Sequence, residues 1–169
     1  MGAGMGAMET SGWLGWLGSS ALSAWMRGSL WAYPMVEVVH IFGFALLVGT
    51  VVAFDLRVLG FSRGALAVQP LARHLLPWSL AALLLIVPAG LMMFSAHPHD
   101  FYENPVFRLK LALIAAAGLN ALVFHLGAYR RVAMWDQGRP APPAAKLQAV
   151  LSMAIWLAVI CCGRLLAYT

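Results

Sequence analysis

Seven residues able to carry charge lie inside, or at the rim of, stretches that are otherwise apolar: Glu37, His40, His74, Arg108, Lys110, His125 and Arg164. A charge at bilayer depth costs about 2.5–3.5 kcal/mol even on lenient insertion scales, so such residues face a bundle interior and mark proton, ion or cofactor sites. Three chemistries are open to them. Glu37 and His40 are three apart, share a helix face and can pass a proton. Lys110 and Arg164 are cations able to hold a haem propionate or a quinone carbonyl. His74 and His125, on neighbouring segments, are candidate axial ligands of a haem iron.

The elements that must position these residues are membrane spans. Of the 169 residues, 62% are hydrophobic and 10% charged, and the mean hydropathy is +0.82, which excludes an ordinary soluble domain. At roughly 20 apolar residues per span, the length accommodates four spans and no separate soluble domain. They are expected at about residues 35–54, 75–94, 106–128 and 147–168. Tyr33-Pro34 leads into the first, since proline suits a first helical turn. Pro77 and Pro88 fall in the second, where Pro88 should kink it. The expected fold is an all-α integral membrane four-helix bundle of up-down topology. Residues 20–169 form its single domain, a short interfacial helix over residues 20–31 precedes the first span, and residues 1–19 are a flexible N-terminus. Met5 and Met8 are alternative candidate starts.

Basic residues orient the spans. Arg57, Arg63 and Arg73 lie between spans one and two, and Arg130, Arg131, Arg139 and Lys146 between three and four. Only Arg27, Arg108, Lys110 and Arg164 fall on the other side. The positive-inside rule then makes both connections cytoplasmic and both termini periplasmic, in a bacterial inner membrane. The formal charge of +5 is accounted for by these flanks, so no nucleic-acid partner is implied; the lipid bilayer is the expected partner. Adjacent Cys161 and Cys162 rarely satisfy disulfide geometry with each other and read as small apolar residues. The chain has no CxxC, haem-attachment, phosphate-loop or GxSxG motif.

Depth sorts the polar residues into two groups. At 1.5 Å per residue, Glu37, His40, Lys110 and Arg164 fall roughly 7–11 Å outward of their span centres. There they form either an ion-pair network, with Glu37 within reach of Arg164, or a pocket for an anionic or quinone group. His74 and His125 fall roughly 12–16 Å inward at matching levels, as a shared haem would require. Small residues at Gly118, Ala121 and Ala128 leave space beside His125, and Gly43 leaves space beside His40. The stretch Met92–His99 has the thioether and imidazole groups that bind copper, but two ordinary core methionines followed by loop histidines explain it better.

Several segments, in order and spacing, resemble small four-helix bacterial inner-membrane proteins grouped only as a domain of unknown function. They are Glu37-x-x-His40-x-x-Gly43, Gly49 with Asp55-Leu56-Arg57-x-x-Gly60, Pro105-x-Phe107-x-x-Lys110, Gly118-Leu119-Asn120, and Ser152-x-x-x-Trp156 ending in Gly163-Arg164. The resemblance runs from about Trp25 to the C-terminus and implies the fold but little about activity. In outline the chain is also similar to compact four-span b-type cytochromes, though it lacks their second pair of intramembrane histidines. Three functions are consistent with these residues. One is a b-haem protein passing electrons between a quinone and a partner. The others are a non-enzymatic subunit or assembly factor of a membrane complex or homo-oligomer, and a carrier of a metal ion or small solute.

Overall fold

The computed structural model describes residues 12–62, 64–136 and 139–168. Every regular element in them is helical, and four helices are long and apolar enough to cross a membrane.

Two short helices come first, α1 (Trp13–Gly18) and α2 (Ala21–Gly28). Ser20 caps α2 by accepting the Ser23 N–H at 3.2 Å. Residues 1–11 of the expected flexible segment lie outside the described residues, but Trp13–Gly18 within it are helical.

The first span, α3 (Ala32–Leu59), takes Pro34 in its first turn and stops where Gly60 adopts φ 118°, a left-handed conformation that glycine adopts without strain. The Gly60 N–H then reaches the Leu56 and Arg57 carbonyls, both at 3.1 Å. The second span, α4 (Val68–Ala96), continues through Pro77 and Pro88. A single-turn helix, α5 (Pro98–Glu103), leads to α6 (Pro105–Leu126). Asn104 opens α6 by accepting from Val106 N–H at 2.8 Å and Phe107 N–H at 3.4 Å, with Pro105 at the tolerated first position. A 3-10 segment (Ala128–Met134) follows, and α7 (Pro143–Leu165) completes the chain. α3 and α4 extend beyond the apolar cores expected from sequence, mostly at the end away from the termini, whereas α6 stops two residues before the expected end and α7 starts four residues earlier and ends three earlier than expected.

Neighbouring spans pack in the order α4, α3, α7, α6. Between α3 and α4 the backbones approach closely at Gly43, where a Cβ would lie 3.0 Å from Ile86 Cγ1, 3.1 Å from Leu85 Cβ and 3.3 Å from the Ala82 carbonyl oxygen. Two turns further, the Thr50 and Ser79 hydroxyls meet at 2.9 Å. Phe44 packs edge-on against Trp156 between α3 and α7, and Asn120 Nδ2 of α6 donates to the Gln148 carbonyl of α7 at 3.0 Å. Between 11% and 22% of the most apolar window of each span is buried, so these side chains point mainly outward, as a lipid environment requires.

Polar clasps close both ends. At the end carrying the termini, Arg27 donates to the Ala96 and Gly18 carbonyls, both at 2.8 Å, and to Ser23 Oγ, joining α1, α2 and α4. At the opposite end, buried Arg57 donates to the Leu66 carbonyl and, at 3.0 Å, to the Asp136 carbonyl. The Asp136 carboxylate accepts from Val68 N–H and, at 3.1 Å, from Gln69 N–H, capping α4 from the connection between α6 and α7. Val58, Phe124, Trp135 and Ala145 pack around this clasp as the largest apolar cluster.

Candidate functional site

Four helices bring polar side chains together at the end that carries the termini. His40 lies half-buried on α3 against Ile86 and Gly90 of α4. Its Nδ1 stands 3.1 Å from the Ile86 carbonyl oxygen. A carbonyl only accepts, so Nδ1 carries the proton; in a neutral imidazole Nε2 is then the nitrogen with the free lone pair. Nε2 makes no hydrogen bond among the described residues. Gly90 creates the space, since a Cβ there would lie 3.2 Å from His40 Cε1.

Lys110 of α6, itself half-buried, is close enough for its charge to act on the His40 ring. It reaches toward α7, where a Cβ added at Gly163 would lie 3.8 Å from Nζ and where Cys162 is an electrostatic neighbour. Lys110 makes no hydrogen bond or ion pair among the described residues. Glu37, one turn before His40, is exposed and acts electrostatically on both His40 and Tyr33. The cluster therefore offers an imidazole acceptor, an ammonium donor and a carboxylate at one level.

An open apolar groove of about 490 Å³ runs along α3 and α7, lined by Ile41, Phe44, Ala45, Val48, Gly49, Val52 and Ile160. Glu37 lies one turn outside Ile41 on the same face.

Arg164 does not join the cluster. It is exposed, donates to the Tyr168 hydroxyl and stacks on the Tyr168 ring with the guanidinium carbon 4.7 Å from the centroid. The expected Glu37–Arg164 ion pair is absent; the one ion pair among the described residues is His97 with Asp100, at 3.6 Å. The cause is helical phase. Ser152, Ile155, Val159 and Cys162 define the buried face of α7, and Arg164 lies about 200° around from Cys162.

His74 and His125 are both exposed, on α4 and α6. His125 Nδ1 bonds the Ala121 carbonyl of its own helix at 2.8 Å, and its ring rests against Tyr129 at 5.2 Å between centroids. No hydrogen bond or ring contact joins the two histidines among the described residues. Nor do any three His, Cys, Asp or Glu residues there gather as a metal-binding group. Of the two cysteines, Cys162 is buried and Cys161 exposed, and both are free.

Sequence reasoning missed two features. Gly90, which seats the imidazole, is visible in retrospect only as a glycine just after Pro88 in a span. Asp55 is buried against Ser152 at the interface of α3 and α7. Both residues lie in the family-like segments, but as one short polar residue in each they carry no chemical signature of their own.

Fold and site together define a multi-pass, four-helix membrane protein with a polar cluster near one end of its spans. The chain belongs to DUF6644, a family of unknown function, whose model matches residues 8–169. The match begins well before Trp25 and so takes in both α1 and α2. No curated protein and no solved structure matches the chain.

Proposed function

We propose that this protein binds a quinone or quinol from the bilayer of a bacterial inner membrane, its headgroup held by His40 and Lys110 near the periplasmic side. The observation that carries this reading is the orientation of His40: the Ile86 carbonyl takes Nδ1–H and leaves Nε2 as an acceptor within the field of the Lys110 ammonium. Nε2 suits a quinol hydroxyl, which donates; Nζ suits a quinone carbonyl, which accepts. The groove beside Glu37 is apolar, open to lipid and elongated along α3, which suits a prenyl tail. The basic connections 60–67 and 127–142 lie at the opposite end and are assigned to the cytoplasm.

Extraction of lipids from purified protein, followed by chromatography of the quinones, tests the reading. Wild-type protein should retain quinone in stoichiometric proportion. Lys110→Met removes a hydrogen bond from a charged donor, of the kind that contributes about 1.5–3 kcal/mol, and should lower retention at least tenfold. His40→Ala should do the same. Wild-type protein that retains no more quinone than an unrelated membrane protein would overturn the proposal.

A further inference from the structure

Asp55 lies at the other end of the same face of α3, five turns and about 27 Å from Glu37. It is 7% exposed, and its Oδ2 has no hydrogen-bond partner among the described residues. The Ser152 side chain of α7 is the hydrogen-bonding neighbour of the carboxyl group. Apolar packing surrounds the pair: Phe54 meets Phe124 edge-on at 5.6 Å, and Ala149 and Ile155 flank Ser152 on the buried face of α7.

Among the described residues no counter-charge faces Asp55. Arg57, two residues on, lies about 200° around the helix, and its guanidinium is engaged with the Leu66 and Asp136 carbonyls. Asp136 is occupied as the cap of α4. His125 of α6 is exposed and bonded to its own helix. Lys146 is at the first turn of α7, six residues before Ser152, and forms no ion pair among the described residues. On α4, Arg73 and His74 are exposed, as are Arg130 and Arg131 of the 3-10 segment. A buried ionised carboxylate with one oxygen unpaired and no cation beside it is costly, whereas the neutral acid is far less so.

We propose that Asp55, seated against Ser152 between α3 and α7, is a proton-binding site, occupied by a proton when the two helices are packed as they are here. The ligand is the proton itself, and the hydroxyl of Ser152 holds the carboxyl in place. This inference is independent of quinone binding, which concerns the other end of the bundle.

Infrared difference spectroscopy of the full-length protein in lipid nanodiscs tests it. The chain contains only six Asp and Glu residues, so a carboxylic acid carbonyl band is assignable. At neutral pH, where exposed carboxyl groups are ionised, wild-type protein should show such a band, and alkaline titration should bleach it. Asp55→Asn should lack the band. Ser152→Ala should move it to higher frequency through loss of the hydroxyl hydrogen bond. Asp55→Glu keeps a carboxyl group and should shift the band rather than delete it, which guards against misfolding of the Asn variant. Absence of a band that responds to these substitutions would overturn the proposal. So would its bleaching by added sodium at constant pH, which would indicate a metal-cation site.

Discussion

Gly43 and Gly49 stand on the same helix in opposite surroundings. A Cβ at Gly43 would meet Ile86 Cγ1 at 3.0 Å and the Ala82 carbonyl oxygen at 3.3 Å, whereas one at Gly49 would meet nothing within 4 Å. Gly43→Ala should therefore destabilise the protein by about 1–3 kcal/mol through overpacking. Gly49→Ala should be neutral or stabilising by up to about 1 kcal/mol from helix propensity. Unfolding in mixed micelles measures both, and equal effects would contradict the close approach of α3 and α4. At this scale the sequence was informative about type and depth but not about direction. Depth matching placed Glu37, His40 and Lys110 at one level, and Glu37 and Lys110 both lie within electrostatic reach of His40. Arg164 shares that level yet points away, because the buried face of α7 is set by Ser152, Ile155, Val159 and Cys162 rather than by charge. The hydrogen bond that orients His40 comes from a backbone carbonyl, which side-chain identities do not reveal.

Among the elements, α4 begins at Val68 after Ala67, a residue with no capping side chain, and draws its cap from Asp136, 68 residues away. Asp136→Ala should cost about 0.5–2 kcal/mol, while Asp136→Asn should retain most of the stability because an amide oxygen can still accept. Equal losses in the two variants, measured by thermal unfolding, would count against the cap. Arg27 plays the corresponding part at the other end, its two terminal nitrogens reaching the last carbonyls of α1 and α4. A lysine offers one ammonium in place of that fork. Arg27→Lys should therefore speed deuterium exchange over residues 13–20 while leaving the exchange of α3 and α7 unchanged. Apolar runs made all four spans legible in the sequence. Both clasps went unseen because their partners are separated in sequence and half of them are backbone atoms.

In the whole molecule, the connections at residues 60–67 and 127–142 share one end and both termini share the other, and seven of the eleven basic residues lie on those connections or on the helix ends flanking them. Reporter fusions within the second connection and after the C-terminus should give cytoplasmic and periplasmic signals respectively; the reverse would invert the membrane orientation without altering the packing. The site that α3, α4, α6 and α7 build together around His40 is central to the proposed function. The most direct measurement is nitrogen NMR of ring-labelled histidine in nanodiscs titrated with a short-tailed quinol, the His40 signal being assigned by its loss in His40→Gln. A saturable shift of the His40 Nε2 resonance, abolished or weakened at least tenfold in Lys110→Met, is the predicted result. An unchanged His40 signal across the titration, with the quinol demonstrably in the bilayer, would contradict it.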